Sequence, residues 1–163
     1  RQMCIRDRFM PCIKIVDNPY ENYTDTYHLI HKYIFPKSKY IGGLAVDPVY
    51  AAEQMDFCRH IWGKNTGVKL RHFILTYSEY ETNNLMNAEL LHYDAYEICN
   101  LYADDYQIVF GIHDKPDQLH VHFVMNTVSY RDGHKYRRNK HDDYELGVFV
   151  SSLSDQYVPI YYD

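Results

Sequence analysis

The sequence predicts an α+β fold: a mainly antiparallel central sheet flanked by helices, either two-layered or sandwiched. Three observations lead there. Strand-like and helix-like periods follow one another in the order βα, αβ, α, ββ, α, β. Two strand runs, 106–112 and 119–126, are separated only by the turn residues of Asp114-Lys115-Pro116-Asp117, so they pair as a hairpin. The helical stretches each carry one apolar stripe, which needs a sheet face to cover it.

Taken in order, Cys12 to Val16 alternates as a short strand and ends at Asp17-Asn18-Pro19. Thr24 or Asp25 can cap a helix running to about Phe35, with Tyr27, Ile30 and Ile34 facing inward. Pro36 stops it, and 37–43 reads as a loop. Asp47-Pro48 is a capping carboxylate followed by a proline in the first helical turn. That helix buries Ala51, Met55, Cys58 and Trp62, and Gly63 ends it. Residues 69–77 form a strand, 79–84 a polar loop, and 85–102 a helix with Ala88, Leu91, Ala95, Ile98 and Tyr102 at helical spacing. After the hairpin, Arg131-Asp132-Gly133-His134 is a turn. Asp142 or Asp143 opens a last helix with inner residues Leu146, Phe149, Val150, Leu153 and Tyr157, and 158–162 is a final strand. Residues 1–9 have no period and read as a non-native or disordered leader; residues 10–163 read as one domain.

Composition narrows the class. A chain of 163 residues with 46% apolar content can bury a core. No apolar run is long enough to span a bilayer, and nothing resembles a secretory signal, so no membrane insertion is expected. Cys4, Cys12, Cys58 and Cys99 lack metal-ligand spacing and read as thiols in a reducing compartment. A net charge of −5 argues mildly against a general nucleic-acid binder. Charge is uneven, however: Arg131, Lys135, Arg137, Arg138 and Lys140 crowd one stretch that could track phosphates, or simply be a solvated loop. Most of the 18 tyrosines are expected to be structural.

The chemistry concentrates between His113 and Asn126. His120 and His122 are two apart, so on a strand both leave one face, while Val121, Phe123 and Met125 leave the other. The hairpin returns His113 beside them. Three imidazoles converging from paired strands suit a divalent ion with open positions; by softness they favour manganese, zinc, cobalt or nickel over magnesium. Asn126 continues the histidine face and could bond a ligand histidine or DNA. Gly111, on the same face, would admit substrate or another chain segment. His72 is a further candidate to face the site.

These residues resemble a known family. His120-Val121-His122 is an HUH pair, and His113-x6-His120-x-His122-x3-Asn126 looks like the third motif of plasmid mobilisation relaxases. The segment Val128 to Tyr136, Asp47-Pro48 with Ala51-Ala52, and Arg71-His72-Phe73-Ile74 are similar to relaxase sequences in the same order. The resemblance implies a bacterial cytoplasmic enzyme of a plasmid or integrative element, working with accessory relaxosome proteins on single-stranded DNA at a transfer origin. It implies a magnesium or manganese ion and a tyrosine that becomes linked to a 5′ phosphate. The family's nucleophile segment is similar to Lys32-Tyr33-Ile34-Phe35-Pro36-Lys37, which points to Tyr33, with Tyr27 and Tyr40 as alternatives and Tyr23 behind them. The family often has an acidic residue two after its first histidine; here Lys115 stands there and Asp114 lies one earlier, so no general base is assigned. Relatives often carry further C-terminal regions, so the chain reads as a C-terminally truncated piece.

Three other readings compete. Rolling-circle replication initiators share the HUH pair, but their tyrosine usually follows the histidines. A non-catalytic nucleic-acid-binding module would not need three histidines. A cupin-like metalloenzyme would be nearly all strands.

Overall fold

The computed structural model describes residues 10–163; the expected leader, 1–9, lies outside them. Its centre is a sheet of six strands: β1 (Cys12–Val16), β2 (Tyr40–Leu44), β3 (Leu70–Thr76), β4 (Ile108–His113), β5 (His120–Asn126) and β6 (Ile160–Tyr162). Their spatial order is β2-β4-β5-β3-β1-β6, and only the β1–β6 pair is parallel. The helices are α1 (Tyr23–Tyr27), α2 (Ala51–Ile61), α3 (Glu79–Asn84), α4 (Ala88–Asn100) and α5 (Lys140–Ser154). The expected α+β class therefore holds, in its sandwiched form.

Strand alternation sends two apolar sets in opposite directions. Ile13, Ile15, Phe73, Leu75, Phe110, Val121, Phe123 and Met125 pack against α4 and α5. Val109, Val124 and Leu70 pack against Ile30, Ile34, Ala51 and Met55 from the α1 and α2 side. Burial of both faces is the main favourable term, as for any sheet between helices.

Several local expectations change. Residues 40–44 form edge strand β2, not a loop, paired with β4. Residues 79–84 form α3, not a loop: Ser78 accepts from the Glu81 amide and Glu81 accepts from the Ser78 amide, a full capping box. The first helix is capped by Asn22, whose side chain accepts from the Asp25 amide; Thr26 is buried and Tyr27 only half-buried. After α1 the chain continues as a π-helix, His28–Ile34, and a 3₁₀ turn, Phe35–Lys37. Asp47 does cap, over a 3₁₀ turn at Pro48–Tyr50. Trp62 sits past the end of α2 and is exposed, whereas Arg59 is buried in its last turn. The last helix starts earlier than expected, under Asn139, with Asp143 buried inside it. Tyr157 lies beyond that helix and is exposed. Cys12 is disulfide-bonded rather than a thiol, while Cys58 and Cys99 are buried free thiols. Among the described residues no helix is long and apolar enough to cross a membrane.

Candidate metal centre

The hairpin register sets the centre. His113 pairs with His120, and Gly111 pairs with His122. Paired residues share a face, so the three imidazoles meet on the α1–α2 side of the sheet. Their ring centroids lie 4.8 Å (His113–His120), 4.6 Å (His113–His122) and 5.2 Å (His120–His122) apart. One nitrogen from each lies within 4.8 Å of the others, the only such cluster of His, Cys, Asp or Glu among the described residues.

The outer nitrogens are held so that the inner ones point into the cluster. His113 Nε2 donates to the Ile34 carbonyl at 2.9 Å, which leaves Nδ1 as a lone pair. His120 Nδ1 donates to the Gln118 carbonyl at 3.0 Å, which leaves Nε2. His122 Nδ1 is 2.9 Å from His72 Nε2, and His72 Nδ1 is 2.8 Å from the Tyr20 hydroxyl. His122 Nε2 is buried with no hydrogen-bond partner. A buried nitrogen without a partner, facing two others oriented by carbonyls, fits a metal ion as its missing partner.

The electrostatics keep the ligands neutral. Burial lowers His113, partly offset by its bond to Ile34, with Lys37 and Lys115 lowering it further. Burial pulls His120 down to about 4, and His122 is lowered more strongly by burial and the neighbouring histidines. Burial and the Lys14 charge lower His72 to about 3. Near neutral pH all four are therefore unprotonated, the state a metal ligand needs.

Tyr33 comes in from the π-helix. The wider winding is visible in the Phe35 amide donating to the Ile30 carbonyl five residues back. It places the Tyr33 ring 5.7 Å from His122 and 6.4 Å from His113, edge-on to both, with Lys37 Nζ 4.5 Å from the ring centroid. Tyr33 as a whole is 45% exposed. Gly111 makes the approach possible, since a Cβ there would fall 2.4 Å from Ser38 Oγ and 2.6 Å from Ile34 Cγ2. The other tyrosines lie elsewhere. Tyr40 is on the opposite face, stacked on His92 at 4.7 Å. Tyr27 packs on His31 at 5.0 Å, and Tyr23 donates to Glu53.

The remaining candidates separate. His72 does reach the cluster, through His122. Asp114 does not; it pairs with Lys39 at 3.4 Å. Asn126 shares the histidine face but is fully buried at the far end of β5, where it accepts from Arg59 Nη1 at 3.0 Å and donates to the Met55 carbonyl. The basic stretch is also away from the histidines: Lys135 donates to the Thr66 and Val68 carbonyls, Arg131 to the Asp104 carbonyl, and Arg138 lies 3.9 Å from Asp143. Lys135, Arg137 and Arg138 line a cavity of about 460 Å³ with Arg71; Lys140 is exposed at the start of α5. Sequence reasoning missed Tyr20, whose position after Asn18-Pro19 gave no periodic signal. It also missed Lys14, although Lys14 sits on the polar face of an alternating strand.

On this sheet His120 and His122, with His113 on the adjacent strand, form a cluster that could hold a divalent metal ion. The family model described as relaxase, MobA/VirD2-like, nuclease domain, matches residues 36–158, more than half of the chain, and the protein belongs to that family. The match includes all three histidines and begins after Tyr33. No curated protein and no solved structure matches the chain.

Proposed function

We propose that this protein is a metal-dependent DNA relaxase that nicks and rejoins one strand at a transfer origin through Tyr33. The observation that carries this reading is the Tyr33 ring 5.7 Å from His122, at the open side of three neutral imidazoles. His113, His120 and His122 would hold a divalent ion, which as a Lewis acid stabilises the charge that builds on non-bridging phosphate oxygens. Magnesium or manganese is the expectation from the family; zinc, cobalt or nickel also suit an all-imidazole set.

The Tyr33 hydroxyl attacks the scissile phosphorus, its proton passing to solvent. The phosphorus–O3′ bond breaks, and the 3′ oxygen takes up a proton. The protein is left joined to the 5′ phosphate. Because a phenolate is a good leaving group, the 3′ hydroxyl can reverse the step without an added energy source. The same proposal places the protein in a bacterial cytoplasm with relaxosome partners and single-stranded DNA.

The test is a denaturant-resistant protein–DNA adduct, formed with manganese and single-stranded oligonucleotides from the candidate origin. It should disappear in Tyr33→Phe and in His120→Ala. An adduct that survives Tyr33→Phe moves the nucleophile to another tyrosine, Tyr27 being the next to replace, since Tyr40 lies on the opposite face of the sheet. Absence of any adduct alongside tight strand binding favours a non-catalytic module. The position of Tyr33 before the histidines favours a relaxase over a rolling-circle initiator.

A further inference from the structure

The pocket in front of the histidines, about 200 Å³, is lined by Lys14, Tyr33, Thr76, Lys115, Gln118, His120 and His122, among others. Its formal charges are two lysines and no carboxylate. The sheet fixes Lys14: it pairs with Ile74 on β3, and Ile74 pairs with His122 on β5, so all three share one row and one face. Two strand spacings put the Lys14 backbone about 10 Å from that of His122. A lysine side chain spans part of that gap, to a point beside the centre rather than inside it. Lys115 enters from the other side, on the turn between β4 and β5.

Neither lysine has a salt-bridge partner among the described residues, whereas the nearby Lys39 holds both Glu89 and Asp114. Two unpaired ammonium groups beside a cation site oppose cation binding. That opposition is offset only when an anion shares the pocket.

We infer that Lys14 and Lys115 are phosphate-binding residues, which grip a single-stranded polyphosphodiester from opposite sides of the histidine centre and do so before metal is loaded. This rests on the nuclease reading for the identity of the anion. It adds two substrate contacts, one on β1 and one on the hairpin turn, and the phosphate they hold supplies the negative charge that the pocket's own residues lack.

The experiment measures fluorescent oligothymidylate binding in chelator across a salt series, for the wild type, Lys14→Gln, Lys115→Gln and Lys14→Arg. Each Gln variant should reduce the slope of log affinity against log salt by about 0.7, the value of one single-strand phosphate contact, and Lys14→Arg should keep it. Manganese titrations of the same proteins without DNA should show several-fold tighter binding in the Gln variants, because a like charge has gone. Weaker DNA with tighter metal is a pattern that a packing role does not produce. Unchanged salt slopes overturn the inference, as does weaker manganese binding in the Gln variants or a wild type that binds oligothymidylate only with metal. If the slopes change as expected but no tyrosine adduct forms, the phosphate contacts stand and the nuclease reading fails.

Discussion

The carbonyl of Ile34 accepts the Nε2 hydrogen of His113 at 2.9 Å, so the residue next to Tyr33 is tied directly to a candidate metal ligand. Ser38 Oγ donates to the same carbonyl at 2.7 Å. The end of the π-helix is thereby pinned to the sheet at the point where Gly111 leaves room for it. Position of the tyrosine and orientation of the ligand are one structural event.

Gly111→Ala should break that coupling. Its Cβ would meet Ser38 Oγ at 2.4 Å and Ile34 Cγ2 at 2.6 Å, and the Ile34 side chain is fully buried and cannot swing away freely. Overpacking of this kind costs about 1–3 kcal/mol. We expect a lower melting temperature and adduct formation reduced at least about tenfold, since small misplacements of a reacting group are costly. Normal adduct yield in a protein melting like the wild type would mean that Tyr33 does not depend on this contact.

His72 should matter through metal affinity. For His122 Nε2 to coordinate, the His122 Nδ1 hydrogen must donate to His72 Nε2, and the His72 Nδ1 hydrogen to the Tyr20 oxygen. Loss of such an outer partner typically lowers metal affinity about 10–100-fold. His72→Ala is expected in that range by manganese titration, and Tyr20→Phe should show a smaller loss. Adduct formation by His72→Ala should recover at high manganese. Unaltered affinity in His72→Ala would separate His72 from the centre.

Acid should destabilise the metal-free protein through its buried histidines. In the unfolded chain His72 titrates near 6.5; in the fold, burial and Lys14 hold it near 3. Below 6.5 the unfolded chain therefore binds a proton that the folded chain refuses, and stability falls as pH falls. For His72 alone the loss at pH 5 is about 2 kcal/mol. His31, His113 and His120 shift in the same direction. Thermal melts should show full stability above about pH 7 and a steady decline toward pH 5. The decline should be shallower in His72→Gln, and a flat profile would contradict neutral burial.

The histidine centre was legible because its chemistry is local in sequence: a period of two and one turn place all three rings. Tyr33 was reached only by resemblance, since a π-helix has no periodic signature in so short a segment. Strand β2 was hidden by Gly42 and Gly43, which weaken strand propensity. Yet Gly42 is required there, because a Cβ would fall 2.5 Å from Phe110 and 2.6 Å from Tyr96 Oη. Polar Glu79 to Asn84 read as loop because the capping signal starts one residue earlier, at Ser78. Alternation correctly put Asn126 on the histidine face but could not say what covers that face, and α2 covers its far end.

Asn126 supplies the sharpest contrast between face and function. Arg59 is fully buried, its Nη1 donates to Asn126 Oδ1, and its Nε and Nη2 have no hydrogen-bond partner. Its nearest carboxylate, Asp56, is 3.7 Å away. Asn126→Ala would leave the guanidinium without its one buried acceptor and free the Met55 carbonyl and Gln107 Oε1 as well. Removing one partner of a buried charged group costs about 3–5 kcal/mol. Chemical denaturation should report a loss of that order. Manganese affinity of the still-folded fraction should stay within about twofold, because Asn126 touches none of the histidines or their partners. A large drop in metal affinity with little change in stability would instead place Asn126 in the centre.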